Sequence, residues 1–368
     1  MNALLLVSPM RMIRYELSWR LSKALTGPLH VNIDLTYRCN LRCVMCDVWR
    51  KESTVFGRAE DELTTEELKR FILEFHALGV RVITFAGGEP LLRRDIFDVL
   101  GFAKAQGMIV TLVTNGTLIS REAACKLAKL KLDYLTVSLD ATSPLLNDEM
   151  RGQGSFRRAV DATRMLREIN METKITLNTV VSRLNYKEMP QMPVFAAELG
   201  VSQVSFQPVF CKPGIPMNIL TPTSEVYPDL RATVVETLEA GRQNHVHVGP
   251  VEYLSLIASS PYVLSFVLSR LNCYMVHLSC AVNAFGDVLP CWFLPALGNV
   301  RRTAPREIWF SEAFDRVRRA VKRHKVPQCE RCVAACYTPY NILISKFRNP
   351  SKCFANQFEP NLARIGRF

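Results

Sequence analysis

The sequence predicts an α/β protein: a partial (βα)6 barrel followed by a small, cysteine-rich C-terminal domain. Three observations lead there. Six short apolar segments alternate with helical patterns; residues able to do chemistry fall at the ends of those segments; and seven of the twelve cysteines lie downstream of residue 271. At 368 residues the chain accommodates one large domain and a smaller appendage. It divides into an N-terminal extension (1–28), the barrel (29–215), a helical connector (216–270) and the cysteine-rich domain (271–368).

The opening run NALLLV is short, is followed by Arg11 and Arg14, and lacks a small-residue cleavage site. It is not read as a signal peptide, and a cytoplasmic setting with reduced thiols follows. The basic stretch RMIRYELSWRLSKAL reads as a surface helix, with peripheral membrane contact as the alternative. Strands are expected at 30–36, 81–86, 108–114, 134–139, 174–181 and 201–208. After the first, TTEE announces a helix: Thr64 can cap, Glu67 can reach back, and Leu68, Phe71, Ile72 and Phe75 give the apolar spacing. Strands this apolar, alternating with helices, imply a parallel sheet covered by helices. Six units are too few to close an eight-stranded barrel, so the barrel is partial and its active site lies at the C-terminal strand ends. The charge-free run at 253–269 contains Pro261 and several serines and reads as a buried helix pair, not a membrane span.

At the strand ends stand CNLRCVMC (39–46), GGEP (87–90), TNG (114–116), SLD (138–140), Asn178 within the fifth strand, and FQPVFCKPG (206–214). Each alone is turn chemistry; together they line one rim. Cys39, Cys43 and Cys46 can hold three irons of a 4Fe-4S cubane, leaving the fourth iron without a protein ligand. Zinc would want a fourth Cys or His, and the next, His76, lies in the following helix. The non-enzymatic alternative is a zinc-binding scaffold.

C-x3-C-x2-C with GGEP at this spacing resembles the radical S-adenosylmethionine (SAM) superfamily, over about residues 29–208. The resemblance implies an open iron that chelates SAM, whose reductive cleavage yields a 5'-deoxyadenosyl radical that abstracts a substrate hydrogen. It also implies roles. Gly87, Gly88, Glu89 and Pro90 would face the methionine ammonium, with the glycines admitting the ligand and Glu89 fixing the loop. Ser138 and Asn178 would contact ribose, and Arg151 would pair with the methionine carboxylate.

The C-terminal cysteines, with G-x4-C at 286–291 and the GNV…EIW connector, resemble the SPASM or shorter twitch extension, which implies one or two auxiliary 4Fe-4S clusters. Two arrangements are open. Cys273, Cys280, Cys291 and Cys336 could hold one cluster and Cys329, Cys332 and Cys353 a second; or Cys273, Cys291, Cys329 and Cys332 could hold a single one. The two-cluster arrangement is expected, because it strands no cysteine.

Cys125 reads as a small core residue. Cys211, at the rim, is a candidate hydrogen-atom donor to a substrate radical, which would make the enzyme an epimerase. His245 and His247 alternate on an expected strand and are read as structural. Between 301 and 325 stand nine Lys or Arg against three Asp or Glu, a surplus of six within a net charge of +12. That face could dock a flavodoxin or ferredoxin-type reductant; nucleic acid is not expected, since no recognition module accompanies the charge. Few residues precede the first strand, so the expected substrate is a small sugar, cyclitol or nucleoside, dehydrogenated or epimerised. A peptide-modifying maturase and a lipid-modifying enzyme are the alternatives.

Overall fold

Period-two alternation in the strands decides how this chain folds. The computed structural model describes residues 8–49, 61–169, 172–209, 220, 222–259 and 272–332. Helix α1 (Pro9–Leu21) precedes β1 (His30–Thr36). There follow α2 (Thr65–Leu78), β2 (Val82–Gly87), α3 (Ile96–Ala105), β3 (Ile109–Thr114), α4 (Arg121–Leu130) and β4 (Tyr134–Ser138). Next come α5 (Pro144–Arg151), α6 (Ser155–Glu168), β5 (Lys174–Val181), α7 (Gln191–Glu198) and β6 (Val204–Pro208). Helices α8 (Tyr227–Gln243) and α9 (Val251–Ile257) lead to α10 (Met275–Leu278), β7 (Ser279–Val282), β8 (Asp287–Leu289), β9 (Gly298–Asn299), α11 (Pro305–Trp309) and α12 (Glu312–Lys322).

Strands β1 to β6 are parallel, and each lies beside its neighbour in sequence, as in an unclosed TIM-type barrel. The sheet does not stop at β1. Strand β7 pairs with the other edge of β1 in parallel, with Cys280 opposite Val31, and β8 and β9 continue antiparallel. The cysteine-rich segment is thus built onto the barrel sheet.

Val31, Ile33 and Leu35 of β1, Val110 and Leu112 of β3, Leu135 and Val137 of β4 and Phe206 of β6 face the helices and join one core with Phe71 and Phe75 of α2. Each such side chain contributes about 1.5–3 kcal/mol by leaving water. The opposite face carries Asn32, Asp34, Thr84, Thr136, Ser138, Asn178 and Gln207. Val82, Ile109, Val113 and Val180 share that face, so the inner wall is mixed, and at its N-terminal end Val82 and Ile109 pack with Tyr274, Met275 and Leu278.

The capping box on α2 forms as read: Glu67 N donates to Thr64 Oγ1 (3.2 Å) and Thr64 N to Glu67 Oε2 (2.8 Å). Arg301, beyond β9, clamps the same carboxylate at 2.7 Å and donates to the carbonyls of Asp61 and Glu62. Trp309 Nε1 donates to Thr26 O (2.9 Å), fastening the segment after α1 onto α11.

Some expectations change. Cys125 is exposed, because the inward stripe of α4 is Ala124 and Leu127 and one residue turns the helix by about 100°. His245 sits at a left-handed turn (φ +54°) and only His247 bridges to Gln203, so the two do not share a strand. Within the run at 253–269, Tyr253, Leu254, Leu256 and Ile257 of α9 are buried, and residues 260–269 lie outside the described ones. No described helix is long and apolar enough to cross a membrane.

Arg301 holds the Glu67 carboxyl down at about 2. A depressed carboxyl adds stability that is fully present above about pH 4.5 and is lost as pH falls through about 2. Urea denaturation across that window should show the wild type losing more stability on acidification than Glu67→Gln; parallel losses would mean the clamp is too screened to matter.

Candidate active site

Where β1 ends, the chain turns into the cysteine loop, and a residue passed over in the sequence anchors the turn. The buried Glu62 carboxylate accepts from Thr36 Oγ1 (2.6 Å) and Tyr37 N (3.0 Å) and lies 3.7 Å from the Arg38 guanidinium. GGEP closes onto the same turn. Gly88 N and Glu89 N donate to the carbonyls of Thr36 (2.7 Å) and Arg38 (2.8 Å). A Cβ on Gly88 would stand 2.1 Å from the Arg38 carbonyl oxygen; one on Gly87, whose φ is +121°, would stand 2.4 Å from that of Thr36. The close approach these glycines permit is in the first place to this backbone, where approach to a ligand was expected.

Glu89 fixes its loop. Wholly buried, it accepts from Thr114 Oγ1 (2.7 Å), Asn115 N (2.8 Å) and Leu91 N (3.1 Å), welding GGEP to TNG. Burial pushes its carboxyl up and these bonds draw it down. Pro90 opens a single 3-10 turn. Asn115 Nδ2 donates to Asn40 Oδ1 (2.9 Å), which joins TNG to the cysteine loop.

The SLD motif supplies a second anchor. Asp140 pairs with Arg151 through Nε (2.6 Å) and Nη2 (3.0 Å), and it also accepts from Val180 N (2.8 Å). Asn147 and Asn185 hold the Asp140 backbone. Arg151, expected to meet a ligand carboxylate, is paired inside the protein with Asp140. Its carbonyl accepts from Cys43 Sγ (3.7 Å), and its charge lowers the Cys43 and Cys46 thiols against the larger effect of burial. Ser138 and Asn178 are directly opposite each other across β4 and β5.

Burial raises all three loop thiols, Cys43 to about 12; Cys46 adds to the rise at Cys39 and Cys43, and Cys39 adds to it at Cys43. Ligation must therefore displace protons. Among the described residues no three His, Cys, Asp or Glu side chains converge as a single metal ion requires. A cubane takes one thiol per iron, which suits three spaced thiols on one loop.

The C-terminal thiols gather at the other end of β1. Cys273, Cys291 and Cys332 pack with Tyr274, Met275 and Leu278 against Leu29 and Val82, and Cys273 and Cys329 pack around Val276 and Val321. Burial raises Cys329 to about 12, with Cys273 and Cys332 adding to it. These are the four residues of the single-cluster arrangement. Cys280 is not with them: it lies on the β7 face that enters the main core, where burial raises its thiol to about 12. Spacing in sequence could not show that β7 turns this side chain the other way. Cys211, Cys336 and Cys353 lie outside the described residues.

The molecule is thus an open parallel barrel with three thiols at the end of its first strand and a second thiol group at the other end of that strand. The radical SAM superfamily profile matches residues 33–193 and the SPASM iron-sulfur cluster-binding domain matches 273–333. The chain is 31% identical over 308 residues to an AdoMet-dependent heme synthase of Methanosarcina barkeri, covering 79% of this chain and 85% of that protein. It is 30% identical over 280 residues to the mycofactocin maturase MftC of Mycolicibacterium smegmatis, covering 74% and 66%. In fold it is similar to Streptococcus suis SuiB bound to S-adenosylmethionine, with a TM-score of 0.68 at 20% identity over 91% of this chain and 78% of that one.

The chain belongs to the radical SAM superfamily and carries a SPASM domain. It is an enzyme that uses S-adenosylmethionine and 4Fe-4S clusters. When bound, these groups supply a carbon radical able to take hydrogen from a substrate; Cys39, Cys43 and Cys46 would hold the cluster that does so. The expected sugar, cyclitol or nucleoside substrate gives way here, because these relatives are named as a heme synthase and a mycofactocin maturase.

Iron and acid-labile sulfide after anaerobic reconstitution test the thiol assignment. The Cys39/Cys43/Cys46→Ala triple variant should lose about four irons per chain, Cys273→Ala should lose the auxiliary iron, and Cys280→Ala should keep all of it. Loss of iron in Cys280→Ala would restore the two-cluster ligand set. Separately, Asp140→Asn should destabilise the apo-protein by about 3–5 kcal/mol in urea, because it leaves a buried guanidinium without its carboxylate.

Proposed function

We propose that this enzyme modifies a peptide, abstracting hydrogen from a side chain or backbone position with the SAM-derived radical. The observation that carries this reading is the 30% identity to a mycofactocin maturase over 280 residues, a span longer than the radical SAM segment alone. The polar residues of the inner wall, among them Asn32, Asp34, Thr136, Asn178 and Gln207, are consistent with it, since a bound peptide backbone needs hydrogen-bond partners. In this reading GGEP, Ser138 and Asn178 line the SAM site, and Arg151 acts through Asp140 and Cys43 by holding the cysteine loop. A flavodoxin or ferredoxin-type reductant would dock on α12, whose Val317, Ala320 and Val321 cover Cys273 and Cys329. Cys211 belongs to this proposal only as a hydrogen donor for an epimerised product.

A second reading has its own support. The match to the heme synthase covers 85% of that protein, so a porphyrin-type substrate is the alternative.

One experiment separates them. Reduced, reconstituted enzyme with SAM is offered short peptides encoded beside its gene, and iron-coproporphyrin in parallel. The expected result is 5'-deoxyadenosine formation stimulated at least about tenfold by one peptide, with a matching mass change in that peptide. Stimulation and mass change only with the porphyrin would replace the peptide reading.

A further inference from the structure

Helix α1 has two faces that avoid water differently. One, carrying Tyr15, Ser18 and Trp19, packs on the C-terminal segment: the Trp19 ring lies 5.3 Å from that of Tyr274, and Lys322 Nζ stands 4.8 Å over it. The other face is aliphatic and in solvent. Met10, Ile13, Leu17 and Leu21 are 62%, 53%, 41% and 63% exposed, and Leu25 just beyond the helix is 40% exposed. At about 100° per residue, the four on the helix fall within roughly a quarter of its circumference, nearly opposite the packed face.

Single exposed aliphatic side chains are ordinary, but a contiguous stripe marks a contact surface. Five of the eight large apolar side chains exposed among the described residues are in this one place. The stripe is flanked by positive charge. Arg14 stands on one side and Arg20 on the other, with Lys23 at the C-terminal end, all exposed. The acid of the helix, Glu16, lies 2.8 Å from Arg20.

We propose that α1 lies flat on an anionic lipid bilayer, with its aliphatic stripe in the boundary between headgroups and acyl chains and Arg14, Arg20 and Lys23 at the phosphates. Charge complementarity selects this occupant. A bilayer accepts an apolar ridge between basic flanks and is negatively charged along its whole length. A second copy of the chain fits less well, since face-to-face contact would set Arg14 and Arg20 against their own copies. The residues just before the helix, Leu4, Leu5, Leu6 and Val7, continue the apolar composition.

The test is cosedimentation of the full-length, reconstituted enzyme with phosphatidylcholine vesicles with and without phosphatidylserine. The wild type should partition at least about tenfold better onto the phosphatidylserine vesicles. Ile13→Gln/Leu17→Gln/Leu21→Gln should lose about tenfold of that partition, and Arg14→Gln/Lys23→Gln should lose the preference for phosphatidylserine. Because these side chains are exposed and outside the catalytic site, both variants should keep the wild-type melting temperature and 5'-deoxyadenosine yield. Equal wild-type partition onto both vesicles, or full binding by the triple variant, would overturn the proposal. So would a wild-type dimer in gel filtration that the triple variant converts to monomer, which would give the stripe to a second copy.

Discussion

Strand β1 is hydrogen-bonded on both edges and carries a group of thiols at each end, and the rest of the architecture depends on that double commitment. Its C-terminal end delivers the loop of Cys39, Cys43 and Cys46; its N-terminal end, with Leu29, underlies Cys273, Cys291 and Cys332. Seven residues of extended chain separate the two, on the order of 20 Å. A strand held by β2 on one side and β7 on the other is a stiff ruler. Its register is held by Val31, Ile33 and Leu35 in the core, and a slip of one residue would turn all three to the inner wall.

Three arginines do related work where regular structure ends. Arg93 donates to the carbonyls of Leu35 (3.1 Å) and Leu63 (2.9 Å) while pairing with Asp95 at 2.6 Å. Arg301 takes the carbonyls of Asp61 and Glu62 together with Glu67. Arg318, fully buried between the rings of Trp309 and Phe314, takes the carbonyls of Val276 and Trp309 together with Asp315. Each planar, multiply donating side chain satisfies carbonyls that no strand or helix reaches, and a carboxylate balances its charge. Part of the positive surplus at 301–325 is therefore structural, so the whole of it is not available as a surface field.

The first six strands were legible to within about three residues, because one face of each is apolar at period two and turn residues close each segment. The cysteine loop was legible because three thiols within eight residues stand out, and GGEP because it follows the next strand at the spacing of the family it resembles. What was not legible depends on where side chains point. Glu62 and Asp140 look like any acid in a turn until the fold sets Thr36 and Arg151 beside them. Cys280 and Cys273 are separated by six residues of similar composition, and only the pairing of β7 with β1 decides that one enters the core and the other joins the thiol group. Cys125 was misplaced by a single helical step.

The pairing of β1 with β7 also gives the molecule a history. As the chain leaves the ribosome, β1 and β2 can associate early, but the partner for the other edge of β1 is encoded nearly 250 residues later. Through most of synthesis the strand leading to the cysteine loop has one bare edge, which invites pairing with other chains and slows the final contacts. The sheet is sealed only when the segment carrying the second thiol group has emerged, so completion of the barrel and construction of the auxiliary site are one late folding event.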